Sequence, residues 1–356
     1  MLRPPVARLQ ALSRSLAATT RFSSTRPFST NMKAVIYNST GDSSVLQVGD
    51  VPKPSPGPTD VLMKVEWAGV NFIDIYFRTG LYPTTFPATT GREGAGVIEA
   101  LGADVPAEYN LSVGDRVACY AQNVMAEYCA TPAARLMKLP DAVTTRQGAG
   151  LILQGLTAWT LVKDAHEVKA GEVVLVHAAA GGTGGLIVQM AKHLGATVIG
   201  TASTPEKIAI AKEHGCDHVI NYSHQSVLDE VMRLTDGKGC HAVFSGIGKA
   251  TFKDDLECCR KKGTMVTFGN ASGAIEGFRP LELGKKNVKL IRPRLDVYVS
   301  EREDFEQRSA ELLDLVAKGI VKLDIAKEYT MEQVGQAHDD LSGRKSTGKL
   351  IVKIAD

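Results

Sequence analysis

Residues 177–185 read HAAAGGTGG; the apolar run VVLV (173–176) precedes them and LIVQMAKHLG (186–195) follows. In that order an apolar run, a glycine-rich turn and an amphipathic stretch spell strand, tight turn and helix. Glycines let backbone come close to a ligand. A helix N-terminus offers unpaired N–H groups and the positive end of its dipole. The stretch therefore reads as the pyrophosphate turn of a dinucleotide-binding fold. It departs from the usual G-x-G-x-x-G because alanines fill its first part.

The same rhythm continues downstream. TVIGTA, HVINY, HAVFSG and TMVTFG alternate with PEKIAIAKEHG, SVLDEVMRLTDG and FKDDLECCRKKG. Strands alternating with helices predict stacked βαβ units and a doubly wound parallel sheet. Upstream, KAVIYN (33–38), VLMKVEWAGV (61–70), GREGAGVIEALG (91–102) and VGDRVACY (113–120) are short strand patterns broken by glycine and proline, with a proline-rich loop at 51–60. They predict a compact β-rich, barrel-like domain. NVKLIRP (287–293) reads as a last strand of the parallel sheet, residues 303–320 and 331–343 as helices, and GKLIVKI (348–354) as a closing strand that needs the first domain's sheet. The expected division is 32–155, completed by 297–356, for the β-rich domain and 156–296 for the dinucleotide domain.

Composition narrows the function. With 356 residues, 44% of them hydrophobic and 22% charged, the chain suits a two-domain globular protein. A net charge of +2 gives no global field for nucleic acid. No apolar run reaches the roughly 18 residues of a membrane span. The six cysteines show no C-x-x-C pair and read as free thiols of a reducing compartment. The first thirty residues stand apart: Arg3, Arg8, Arg14, Arg21 and Arg26 recur among Ser, Thr, Ala and Leu, and the first acid is Asp42. That is the composition of a mitochondrial transit peptide, assigned to residues 1–31, with Met32 as an alternative start for a cytosolic form.

The turn after the second strand of the parallel sheet, GTASTPEK (200–207), carries no acid for a ribose 2′-hydroxyl. Ser203 and Lys207 stand there instead, and a lysine suits a 2′-phosphate as a point charge. The expected cofactor is NADPH. Many alcohol dehydrogenases with this domain order hold catalytic zinc, yet no cysteine precedes Phe72 and Arg92 stands where a histidine ligand would be needed. No metal is expected, which favours substrates that accept reducing equivalents readily, such as quinones and activated alkenes. Nothing resembles a nucleophile–base pair. His177, at the end of a buried strand, reads as a core histidine rather than a base.

At this point the chain resembles a family: the zinc-free quinone oxidoreductases of the ζ-crystallin type, within the medium-chain dehydrogenase/reductase superfamily. The resemblance runs over nearly all of 32–354 and rests on NFIDIYFRTGLYP (71–83), GREGAGVIEALG, VGDRVACY, LQGLTAW (153–159), HAAAGG, INY (220–222), FGNASG (268–273) and GRKSTGKLIV. It implies a GroES-like catalytic domain, a Rossmann domain, NADPH and a homodimer. It implies Asn71 at the nicotinamide end with Phe72 and Asp74 beside it, and Tyr76 and Tyr82 as pocket tyrosines able to hydrogen-bond a substrate oxygen. Gln154 is implied near the nicotinamide, and Gly181, Gly182 and Thr183 at the pyrophosphate. Lys207 and Tyr222 fall at the 2′-phosphate and adenine, and Phe268, Gly269 and Asn270 beneath the cofactor. Arg292 and Arg344 are implied as further cofactor contacts. Two departures stand out: Thr183 where valine is frequent, and Ser245-Gly246 where an Asp-Ser pair is common. Three functions compete: quinone reduction, by one electron to the semiquinone; reduction of α,β-unsaturated carbonyls or enoyl thioesters; and NADPH-sensitive binding of AU-rich RNA, for which no aromatic-and-basic motif is present.

Overall fold

The computed structural model describes residues 31–343 and 346–355. Six strands form one wholly parallel sheet, in the spatial order His218–Asn221, Thr197–Ala202, Val173–Val176, Cys240–Ser245, Cys259–Thr267 and Lys289–Ile291. This is the doubly wound Rossmann order, whose switch point lies between the third and fourth strands of that row. The strands are continuous apolar runs because helices cover both faces. Val174, Val176, Val198, Ala242, Phe244 and Val266 pack into one core. Their alternate neighbours Leu175, Ile199, Val243 and Met265 pack into another on the opposite face.

The rest of the strands build the β-rich half. Asp60–Gly69 is its spine, pairing antiparallel with Glu93–Leu101, Tyr128–Pro132 and Lys349–Lys353. The closing strand thus joins the β-rich sheet, pairing Ile351 with Gly69 across the whole intervening parallel-sheet half, and Ile325–Tyr329 adds to it in parallel. A smaller sheet pairs Asn31–Tyr37 with Gln47–Pro52, so a strand begins inside the stretch taken as the leader and includes Val51 and Pro52 of the proline-rich loop. Residues 1–30 lie outside the described residues.

Helix Thr145–Thr160 joins the halves. Thr144 caps it, accepting from the Gln147 N–H at 3.2 Å while Gln147 reaches back to the Thr144 N–H at 3.0 Å. Leu151, Ile152, Leu156 and Trp159 sit in one core with Val174 and Val176 of the parallel sheet and with Phe305, Leu312 and Leu315 of helix Arg302–Ala317. The boundary expected at 155/156 therefore falls inside a helix, because its apolar face is shared by both halves. Helix Arg302–Ala317 lies on that shared core rather than on the β-rich sheet alone. One further element differs from the sequence pattern. FKDDLECCRKKG is helical only to Cys258. Cys259 onward is strand, pairing Cys240↔Cys259, with Lys262 turned through φ 63°. Long-range pairing overrides local helical preference there.

Candidate active site

A cleft of about 1400 Å³ opens where the carboxyl ends of the parallel strands face the β-rich half. Its two ends are made differently. At the first, Val176 leads into a turn in which Ala178 takes φ 51°, the left-handed region that usually selects glycine. Its N–H is held by the Thr201 hydroxyl at 3.2 Å. The turn swings the chain into helix Gly182–His193, which begins without any side-chain cap. Gly181, Gly182 and Thr183 line the cleft, so the first N–H groups of the helix are left for an acceptor outside the chain. A Cβ on Gly184 would stand 2.2 Å from the Ala178 carbonyl oxygen, so only glycine lets the helix sit this close to the turn. This cradle suits a pyrophosphate. Ser203, Lys207 and Tyr222 line the cleft beyond it. Lys207 is half-buried at the start of helix Pro205–Glu213, its N–H donating to the Thr204 cap at 3.3 Å.

The other end is a buried side-chain network. Asn71 (4% exposed) precedes helix Phe72–Arg78. Its Nδ2 donates to Glu93 Oε1 at 2.7 Å, and its Oδ1 accepts from Lys349 Nζ at 2.9 Å and from Gln154 Nε2 at 3.2 Å. Lys349 and Glu93 form an ion pair with no exposure on either side chain. Lys349 also donates to the Val70 carbonyl at 3.2 Å, and Glu93 Oε2 accepts from the Leu153 N–H at 2.8 Å. The amide of Asn71 is thus locked in one orientation by groups from three distant segments. Gln154 Oε1 has no partner among the described residues and lies against Gly182, where a Cβ would come within 2.1 Å. It links the two ends.

Asp74 accepts the Asn71 N–H at 2.8 Å through Oδ2, while its Oδ1 is buried and unpartnered. Burial pushes its carboxyl up to about 7, against the pull of the Asn71 hydrogen bond and of Lys349. Tyr76 and Tyr82 meet edge-on at 5.4 Å, with Phe72 6.2 Å from Tyr76. The Tyr76 oxygen accepts the Asn270 N–H at 2.9 Å, leaving its own proton to donate, and burial raises its titration point. Phe268 and Gly269 line the cleft beneath. A Cβ at Gly246 would stand 2.9 Å from the Phe268 ring and one at Gly269 2.5 Å from the Gly246 carbonyl oxygen. The Gly246 departure thus has a steric reason: two backbones and a ring share that space. Nothing in the structure explains Thr183. Arg292 donates to the Thr267 and Gly269 carbonyls at 2.9 and 3.1 Å and faces the Asn270 amide at 3.0 Å. It braces this segment. Arg344 lies outside the described residues.

His177 is 5% exposed and held between Asp255 (2.7 Å) and Thr201 (3.2 Å), which makes it part of the turn's scaffold. Sequence reading missed Glu93 and Lys349. The signal available was a charge at an inward position of each strand, Glu93 in GREGAGVIEALG and Lys349 in GKLIVKI, flanked by small or apolar residues.

A parallel sheet whose switch point opens on a β-rich half, with a phosphate cradle at one end and a fixed amide at the other, defines a dinucleotide-dependent oxidoreductase. Comparison with known proteins agrees. The alcohol dehydrogenase GroES-like domain model matches residues 57–141 and the zinc-binding dehydrogenase model residues 182–315. A quinone oxidoreductase of Pseudomonas aeruginosa is 37% identical, over 90% of this chain and 99% of its own. A 2-haloacrylate reductase of a Burkholderia species is 38% identical, over 90% and 98%. The structure of Escherichia coli quinone oxidoreductase complexed with NADPH superposes with a TM-score of 0.86 at 33% identity, over 90% and 99%. The chain belongs to the quinone oxidoreductase family of the medium-chain dehydrogenase/reductase superfamily.

Proposed function

We propose that the protein is an NADPH-dependent quinone reductase that works without a metal and passes one electron to each of two quinones per NADPH oxidised, releasing two semiquinones. The observation that carries the reading is the pairing of an uncapped helix N-terminus with the locked Asn71 amide in one cleft. Bound NADPH supplies the reducing equivalents. Gly181, Gly182 and Thr183 would hold its pyrophosphate, Lys207 with Ser203 and Tyr222 its adenosine end and 2′-phosphate, and Asn71 with Gln154 the nicotinamide. Asn71 orients and Tyr76 donates a hydrogen bond to a substrate oxygen, stabilising charge that develops there. Phe268 and the tyrosines exclude water from one face.

The donor chemistry at the position of a catalytic zinc does not suit that ion: Arg92 is a permanent cation, and the residue before Phe72 is Asn71, whose amide is already held by Glu93, Gln154 and Lys349. Among the described residues no three of His, Cys, Asp and Glu gather as metal ligands, and all six cysteines are buried free thiols. A second reading, reduction of activated alkenes, has support from the relative named a 2-haloacrylate reductase. NADPH oxidation by the purified protein across quinones and enones separates the two, and electron paramagnetic resonance detects the semiquinone. A quinone panel with no turnover overturns the first reading; two-electron hydroquinone as the sole product overturns the one-electron step. The proposal includes import into mitochondria directed by residues 1–31, a cytosolic form from Met32, and a homodimer. A fluorescent fusion with and without the leader, and sedimentation of the purified protein, test these.

A further inference from the structure

The substrate end of the cleft holds one cation that the reading above leaves unused. Arg92 stands just before strand Glu93–Leu101, half-buried and lining the cleft. Its guanidinium carbon lies 4.0 Å from the centre of the Phe77 ring, and Phe77 meets Tyr82 at 5.6 Å. Stacking engages the flat face of the guanidinium and leaves its five in-plane donors unused. Among the described residues no carboxylate or carbonyl accepts from them.

Two other arginines line the same cleft among the described residues, and both are committed. Arg292 donates to the Thr267 and Gly269 carbonyls. Arg294 is paired with Asp296. The positive field of Arg92 reaches Tyr37, Asp74 and Tyr120, all lining this end rather than the glycine cradle. A fixed guanidinium with free in-plane donors, on the rim of an aromatic strip, is the geometry that receives a carboxylate through two parallel hydrogen bonds.

Resting on the reductase reading of this cleft, we propose that Arg92 anchors a substrate carboxylate, and that the substrate class includes activated alkenes bearing that charge. The conjugated part of such a molecule lies along Tyr76, Phe77 and Tyr82. The carboxylate keeps its charge throughout: reduction adds a hydride from NADPH and a proton from water across the C=C bond.

The test compares full-length wild type, Arg92→Gln and Arg92→Lys with two electron acceptors, 2-chloroacrylate and the neutral 1,4-benzoquinone. Calorimetry of 2-chloroacrylate binding in the presence of NADP+, at low and high salt, adds a readout independent of turnover. Arg92→Gln should lower kcat/KM for the acrylate about tenfold or more relative to benzoquinone, the loss expected for a charge-assisted anchor. Arg92→Lys should restore part of it, and salt should weaken binding in wild type but little in Arg92→Gln. A rise in Tm with NADPH in both variants shows that they fold. Equal losses on both acceptors overturn the inference. So does an acrylate that neither reacts nor binds while benzoquinone is reduced, which leaves the reductase reading intact. Failure of both acceptors with wild type overturns the reductase reading itself.

Discussion

The glycine cradle and the Asn71 network are built on opposite principles. The cradle is backbone: a left-handed Ala178, an uncapped helix start and glycines crowded against carbonyl oxygens, all within residues 176–185. The network is side chain: Asn71, Glu93, Gln154 and Lys349 come from two sheet strands, a helix and the residue before another helix, and none of them is sequence-adjacent. The contrast shows how one cleft can combine a general anion holder with a specific positioner. Backbone amides bind phosphate whatever the rest of the molecule carries. A buried amide fixed by an ion pair sets one orientation for one ring.

The largest expected effect strikes the network. Lys349→Met leaves Glu93 charged and unpaired with no exposure, which should cost about 3–5 kcal/mol in chemical denaturation, whereas the double variant Lys349→Met/Glu93→Leu should recover most of that loss. A single variant within about 1 kcal/mol of wild type would show that the pair does not hold the network.

Next comes Asp74. Its folded-state carboxyl titrates near 7 against an ordinary 3.8, so between those values the folded protein holds a proton that the unfolded chain releases. Stability should therefore be greatest below pH 3.8 as far as this group is concerned, and fall as pH rises to 7. The loss approaches about 4 kcal/mol, at roughly 1.4 kcal/mol per pH unit. Asp74→Asn should remove that slope from stability–pH curves while keeping the acceptor for the Asn71 N–H; an unchanged slope assigns it to other groups.

Gly184→Ala attacks the cradle by pressing a methyl on the Ala178 carbonyl. It should cost about 1–3 kcal/mol of stability and weaken NADPH binding, with the Asn71 network untouched. Unaltered NADPH affinity in a fluorescence titration would show that the close approach is not needed. The smallest effect is at Lys207. Changing it to alanine should raise the KM for NADPH about tenfold over that for NADH, on the order of 1.4 kcal/mol. Equal changes for both cofactors remove its role at the 2′-phosphate.

The cradle was legible because each requirement sits beside the last: an apolar run, small residues that can turn, and an amphipathic stretch, with period-2 and period-3.6 patterns on either side. The same locality explains the Rossmann alternation and the strands of the β-rich half. Legibility stopped where partners are distant. The strand starting at Cys259 looked helical because its register is set by Cys240. Glu93 and Lys349 looked like stray charges because each makes sense only beside the other. The helix across 155/156 looked like a boundary because its packing on residues 302–317 is invisible along the chain.

Composition and local pattern by themselves determined a dinucleotide fold, a β-rich companion and an anion cradle without an acid at the ribose, since these follow from neighbours a few residues apart. Only the tertiary structure decided which polar groups are buried together, how the Asn71 amide points, and that Asp74 is held near neutrality while Arg92 keeps its donors open. The reason is physical: backbone conformation is governed by local sterics, whereas the cost of burying charge and the partners that offset it depend on segments brought together from the whole chain.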